Sequence, residues 1–182
     1  MDVDAATAAA LGWPKLKYAV VERERRWVCT AIPLARVVRA ERFTDLYVTG
    51  TRLRLREAVP VGGGPVMRRL GRKADVAHDT RLITSTYLSQ AEYELLARLP
   101  GKVLCKTRHH LGRVAGLELS VDSFEGDLAG LCLAEVEFPS DDAMRAYPMP
   151  DFCTREVTDD PRYRGGDLVW NGLPADFAPP RA

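Results

Sequence analysis

The run YAVVERERRWV, residues 18–28, sets two opposed faces on one extended segment. Side chains alternate along a strand, so residues two apart share a face. Glu22, Glu24 and Arg26 then lie on one side, and Val21 and Trp27 on the other. Two acids in one row repel each other unless a cation or a basic side chain comes between them. What decides the fold is which side of this strand meets water.

The same division recurs along the chain. In TRLRLRE (51–57) Arg52, Arg54 and Arg56 oppose Leu53 and Leu55, and VMRRLGRKADV (66–76) groups Arg69, Gly71 and Lys73. VLCKTRHH (103–110) places Lys106 with Arg108, and LELSVDSF (117–124) places Ser120 with Asp122. LCLAEVEF (131–138) sets Glu135 and Glu137 against Val136 and Phe138. An ordinary half-solvated sheet explains any one of these strands. Together they segregate acids and bases by strand and leave apolar second faces that need helices over them. A closed barrel with its charged side inward, its apolar side outward and helices outside satisfies both. Its lumen holds Glu22, Glu24, Asp122, Glu135 and Glu137 with Arg26, Arg52, Arg54, Arg69, Lys73, Lys106 and Arg108. Such a lining suits a polyphosphate held by the bases, with Mg²⁺ or Mn²⁺ held by the carboxylates.

Punctuation supports this count. Strands are predicted near 17–28, 42–49, 51–57, 66–73, 80–87, 103–111, 116–124 and 131–138, joined by turns such as Thr49-Gly50-Thr51 and Gly62-Gly63-Gly64-Pro65. Ser89 caps a helix stopped by Pro100-Gly101, Ser140 caps one stopped by Pro148, and a third is predicted over Leu34 to Arg39. Eight short strands with few helices predict an antiparallel barrel or a strongly curved sheet. Residues 1–16 read as a flexible or loosely docked arm with room for a short helix before Pro14, and 173–182 as a Pro-rich extended tail.

The chain has 182 residues, 46% of them hydrophobic, and 26 Lys+Arg against 25 Asp+Glu. That is enough apolar material for a core, and the balanced charge argues against nucleic-acid binding. No run suits a membrane span, and Asp2 and Asp4 stand where a secretory signal needs positive charge, so a cytoplasmic protein is expected. Cys29, Cys105, Cys132 and Cys153 have no zinc or disulfide spacing, and His78, His109 and His110 complete no ligand motif. Any metal is therefore hard and carboxylate-bound. His109-His110 reads as a solvated strand end, Gly62-Gly63-Gly64-Pro65 as a plain loop, and Trp27 and Tyr87 as outer-face packing residues.

Glu22-Arg23-Glu24-Arg25-Arg26 resembles the ExExK signature of the CYTH domain, the triphosphate tunnel metalloenzymes. Thr51-Arg52-Leu53-Arg54, Lys106-Thr107-Arg108, Val121 to Gly126, Leu133 to Phe138 and Glu156 to Tyr163 follow in family order. The resemblance implies a mainly β (α+β) fold, an eight-stranded antiparallel tunnel barrel with helices packed outside, over residues 17–172. It implies metal-site carboxylates at Glu22, Glu24, Asp122, Glu135 and Glu137, and phosphate-binding bases at Arg52, Arg54, Lys73, Lys106 and Arg108. Arg69 and Arg81 join them in the lumen, and Arg162 or Arg164 matches a further basic group near the C-terminus. Glu22, Glu24, Arg26 and Tyr47 are the catalytic candidates. Arg26 stands where the signature has lysine; an arginine holds its proton near neutral pH, so it binds phosphate without sharing in base catalysis. Ile83 and Ser85 stand where many hydrolytic members carry acids.

The implied activity is divalent-metal-dependent hydrolysis of triphosphate-containing small molecules, inorganic triphosphate first, with Mg²⁺ or Mn²⁺ as cofactor. The alternatives are a non-hydrolysing polyphosphate- or nucleotide-binding module and a class IV-type adenylyl cyclase. The expected partner is the small-molecule triphosphate, with no nucleic acid and no membrane; a homodimer stays open.

Overall fold

The computed structural model describes residues 3–178. Its strands are β1 (Val20–Cys29), β2 (Arg39–Val48), β3 (Leu53–Pro60), β4 (Met67–Asp75), β5 (Thr80–Tyr87), β6 (Gly101–Val114), β7 (Leu117–Phe124), β8 (Cys132–Glu137) and β9 (Cys153–Glu156). They pair antiparallel in the order β5-β4-β3-β2-β6-β7-β8-β1-β9, and a further β5–β1 pairing closes β1 to β8 into a barrel. β9, which the sequence reading omits, is a short strip on the far half of β1. The helices are α1 (Ala5–Ala10), α2 (Gln90–Leu96), α3 (Asp141–Ala146) and α4 (Gly165–Asn171). The helix expected over Leu34 to Arg39 is a single 3₁₀ turn, Leu34–Arg36, because Arg39 already pairs with His110 in the sheet.

The apolar faces point outward and are covered in patches. Trp27, Leu119, Val121, Val136 and Phe138 form a core with Met144 and Tyr147 at α3. Leu46, Val48 and Leu55 pack against Tyr93 and Leu96 of α2. Burying each such side chain contributes about 1.5–3 kcal/mol, which is what holds short helices that would melt alone. Local signals agree with those positions. Ser89 and Glu92 make a reciprocal capping box at α2, and Ser140 Oγ accepts from the Ala143 N–H at α3.

The outward residues of the deciding run tie these covers down. Arg23 donates to Asp141 at 2.7 Å, and Arg25 donates to the carbonyls of Met144 and Tyr147 and to Glu156 on β9. One stretch thus faces Glu22, Glu24 and Arg26 inward while its alternate residues clamp the exterior.

The N-terminal segment, expected as a flexible or loosely docked arm with room for a short helix before Pro14, is docked and carries that helix as α1; residues 1–2 lie outside the described residues. Val3, Ala8 and Trp13 are buried with Ala74 and Leu82. Trp13 Nε1 donates to Thr84 at 2.7 Å, and the Arg72 guanidinium lies 4.1 Å from the Trp13 ring. At the opposite end from Tyr87 and Glu137, Leu104, Phe124, Leu131 and Leu133 pack with Val157, Tyr163 and Leu168. The C-terminal segment with α4 therefore plugs one end of the barrel. Within the expected tail, Leu173 and Phe177 pack on this plug, and residues 179–182 lie outside the described residues. No helix among the described residues is long and apolar enough to cross a membrane.

Candidate functional site

Strand register determines which side chains share the lumen. Arg54 opposes Tyr47 and Gly71, Arg56 opposes Asp45 and Arg69, and Lys73 opposes Ile83. On the other wall Glu24 opposes Glu137, Arg26 opposes Glu135, Glu22 opposes Arg81, and Arg108 opposes Asp122. The charged rows read from the sequence thus face one another across a closed interior.

That interior is neutralised by its own ion pairs. Asp122 accepts from both arms of Arg108 at 2.7 Å and also from Lys106. Glu135 accepts from Arg26 at 2.9 Å and from Arg108. Arg26 also pairs with Glu24, which has Lys73 at 3.8 Å and Arg81 at 3.9 Å. Burial opposes ionisation of Glu24, Asp122 and Glu135, yet the surrounding cations win and hold all three below the usual carboxylate range. Burial pulls Lys106 down despite Asp122. Arg108 and Arg26 are pushed up because their carboxylates outweigh desolvation.

Glu137 behaves differently. Burial and the nearby charges of Glu22 and Glu24 push its carboxyl above the usual range. Tyr47 is buried against Arg54, and desolvation raises its phenol, so it is a neutral hydroxyl at neutral pH. Burial, with Arg56 and Arg54 crowding it, lowers Arg69, which has no carboxylate partner among the described residues.

Two expected bases turn elsewhere. Arg52 donates to the Leu11 carbonyl of the N-terminal segment at 3.0 Å, and Arg162 pairs with Asp160 and Asp176 at 2.7 Å on the surface. Arg164 instead reaches Asp75 at 2.9 Å, and Asp75 also holds Arg81 at 3.0 Å. Tyr87 is a correction to the outer-face reading: it opposes Arg69 in register, so it stands on the inner face, 70% exposed at the open end. Trp27 does pack outside, under α3.

On β2 the sequence reading named Tyr47 alone. Its inner row brings in Asp45, which accepts both arms of Arg56, and Phe43, whose ring lies 4.1 Å from Arg56 and 5.5 Å from Arg108. The alternation Arg39, Glu41, Phe43, Asp45, Tyr47 was the available signal. His110, read as a solvated strand end, is buried between Glu41 at 3.0 Å and Glu118 at 2.7 Å.

For a divalent cation the donor chemistry is suitable, because carboxylate oxygen is what Mg²⁺ and Mn²⁺ prefer. Glu22 Oε2 and Glu24 Oε1 are buried, and they meet Lys73 and Arg26 as ion pairs without a hydrogen bond. Glu137 bears repulsion from Glu22 and Glu24 that Arg108 and Lys73 only partly offset. No group of three or more His, Cys, Asp and Glu side chains among the described residues converges as a ready-made metal site, since bases occupy the acids. Glu22, Glu24 and Glu137 repel one another across β1 and β8 and would suit a cation only once Lys73 and Arg26 are drawn away, whereas Asp122 and Glu135 are held by Lys106, Arg108 and Arg26.

No family model matches the chain. Over 98 residues, 48% of this chain, it is 36% identical to an inorganic triphosphatase of Acetivibrio thermocellus. It is 37% identical over 92 residues, 45% of this chain, to an inorganic triphosphatase of Nitrosomonas europaea. The chain spans about three-fifths of the length of these curated relatives, 62% and 61%. A crystal structure of an inorganic triphosphatase superposes with a TM-score of 0.56 at 25% identity, covering 82% of this chain and 95% of that one. The chain is a homologue of proteins named inorganic triphosphatase and shares the fold of a solved inorganic triphosphatase.

Proposed function

We propose that this protein hydrolyses a phosphoanhydride bond of triphosphate, inorganic triphosphate first, inside the barrel lumen and with a divalent cation, as a member of the CYTH family. The observation that carries this reading is the juxtaposition of Arg54, Arg69 and Lys73 on β3 and β4 with Glu22, Glu24 and Glu137 on β1 and β8 within one closed interior. The homologues named inorganic triphosphatase support it.

Each group has a distinct task. Arg54 and Arg69 face the lumen from adjacent strands, and guanidinium forks match phosphate oxygens in two directions. Lys73 adds a point charge next to Glu22. Behind these groups Arg56, Lys106 and Arg108 are locked by Asp45 and Asp122, so these ion pairs hold the wall in a fixed geometry at little reorganisation cost. Phosphoryl transfer needs mainly positioning and charge stabilisation, and this wall provides both. Glu22, Glu24 and Glu137 would hold the cation, which when bound polarises a phosphoryl oxygen and acidifies water. Tyr47, protonated and next to Arg54, serves as a hydrogen-bonding wall. Arg26 keeps its proton and orients Glu24 and Glu135.

Phosphate release from inorganic triphosphate, with and without Mg²⁺ or Mn²⁺, tests this proposal. Wild type is expected to turn over only with the cation, and Glu24→Gln to lose most activity. Equal release by both proteins would refute it. A second reading, tight binding without turnover, draws on Arg26 and the neutral Ile83 and Ser85; calorimetry showing binding while release stays at background would favour it.

A further inference from the structure

Strand register brings together two thiols that lie far apart in the sequence. Cys29 ends β1, Cys153 begins β9, and the two are direct partners across that antiparallel pairing. Their sulfurs lie 3.4 Å apart, and both are buried free thiols. Antiparallel partners hold their Cα atoms about 4.5–5.5 Å apart, inside the range that a disulfide spans, so closing the bond asks for side-chain rotation and little movement of either strand. Cys132 is the nearby alternative. It begins β8 beside Leu133, which opposes Val28, and packs on the same core. Yet Cys132 opposes Ser123 on β7, and the sulfur that Cys29 touches is that of Cys153. Cys105 stands on β6 opposite Thr44.

The strand that carries Cys153 is built to open. β9 has four residues, lies at the end of the strand order, and slips in register between Val28 and Cys29. A short edge of this kind opens locally at low free energy, which admits a small oxidant to the Cys153 sulfur. While the strand is closed, the hydrogen bond with Cys153 and then burial push the Cys29 thiol up, so Cys29 stays protonated and inert. The segment that follows β9 backs the lumen wall. Glu156 accepts from Arg25, the Val157 N–H donates to the Arg26 carbonyl, and Thr158 Oγ1 accepts from the Arg26 N–H.

We propose that Cys29 and Cys153 are a peroxide-oxidisable dithiol whose reversible disulfide staples the C-terminal segment onto β1. With β9 open, the Cys153 sulfur, as thiolate, attacks one peroxide oxygen. An S–O bond forms, the O–O bond breaks, and the leaving hydroxide takes a proton to become water. When β9 closes, the Cys29 sulfur attacks the Cys153 sulfenic acid. The S–S bond forms, the S–O bond breaks, and the departing hydroxide takes the proton that Cys29 gives up. Two thiols thus lose two electrons and two protons, and one peroxide becomes two waters. The staple anchors the segment behind Arg26, and the α4 plug beyond it, to the strand that carries Glu22 and Glu24. This inference is independent of the lumen reading.

Hydrogen peroxide treatment of the native, fully reduced protein, followed by unfolding, alkylation of free thiols and peptide mapping, tests it. Wild type should show a link between Cys29 and Cys153 that dithiothreitol removes. Cys105→Ser should form the same link, and Cys153→Ser should form none. The thermal midpoint of the oxidised wild type should rise by about 5–15 °C and return on reduction. Linkage through Cys132, oxygen adducts in place of a link, or no reaction would overturn the dithiol. A Cys29–Cys153 link that leaves the midpoint unchanged would overturn the staple. The wild-type mapping decides the pairing even if Cys153→Ser fails to fold.

Discussion

Asp45 and Arg56 face each other across β2 and β3 as a bidentate pair, both arms 2.6 Å long and both side chains buried inside the barrel. Phe43 lies under the guanidinium, so Arg56 is held on one side by charge and on another by a ring. Arg56→Met leaves the Asp45 carboxylate with Arg54, 4.0 Å away, and the more distant charge of Lys106. Removing one partner of such a pair costs about 3–5 kcal/mol, whereas replacing both with apolar groups of similar volume costs far less. Urea unfolding of Arg56→Met and of Asp45→Leu/Arg56→Met should show a large loss in the first and a substantial recovery in the second.

Acid stability follows from the lumen carboxylates. Burial disfavours the charged form of Asp45, Glu24, Asp122 and Glu135, yet Arg56, Arg26, Arg108 and Lys106 hold all four below their ordinary values. A depressed folded pKa contributes stability that is complete above the unfolded value and is lost as pH falls through the folded value. The melting temperature should therefore be insensitive to these groups above about pH 5 and drop steeply below about pH 4. Thermal unfolding between neutral pH and pH 3 measures it.

Ligand binding should be mutually reinforcing. In the structure the acids that would take a cation are paired with lumen bases, as Lys73 is with Glu22 and Arg26 with Glu24. A triphosphate that draws the bases away strands the acids, and a cation on the acids releases the bases. Calorimetric titration with inorganic triphosphate should give at least about tenfold tighter binding with Mg²⁺ than with chelator, and Mg²⁺ affinity should rise by the same factor with triphosphate present.

The plug leaves no room at Gly165, where a Cβ would collide with the Tyr47 hydroxyl. Gly165→Ala should cost about 1–3 kcal/mol through overpacking. Tyr47→Phe removes the colliding oxygen, so the double variant should recover part of that loss in the same unfolding assay.

The inward charge of the barrel was legible wherever a row repeated without interruption. Glu22, Glu24 and Arg26, or Arg54 and Arg56, reveal a face by parity alone. The β2 row was obscured because Phe43 sits between Glu41 and Asp45 and Tyr47 follows, and a mixed row does not distinguish lumen from exterior. Tyr87 was misassigned because an aromatic at a strand end looks like packing until register pairs it with Arg69. Arg52 and Arg162 were placed by motif, but their partners Leu11 and Asp176 come from other segments. The docked arm hinges on Trp13 meeting Thr84 and Arg72, contacts that no local pattern encodes.

The account depends on a base-lined interior that grips triphosphate. Calorimetry of inorganic triphosphate against wild type and an Arg54→Ala/Lys73→Ala variant, with circular dichroism confirming an intact barrel, tests this most directly. Two charged hydrogen-bonding groups should cost at least about a hundredfold in affinity. Equal affinity in the two proteins, or no binding by wild type, would contradict the account.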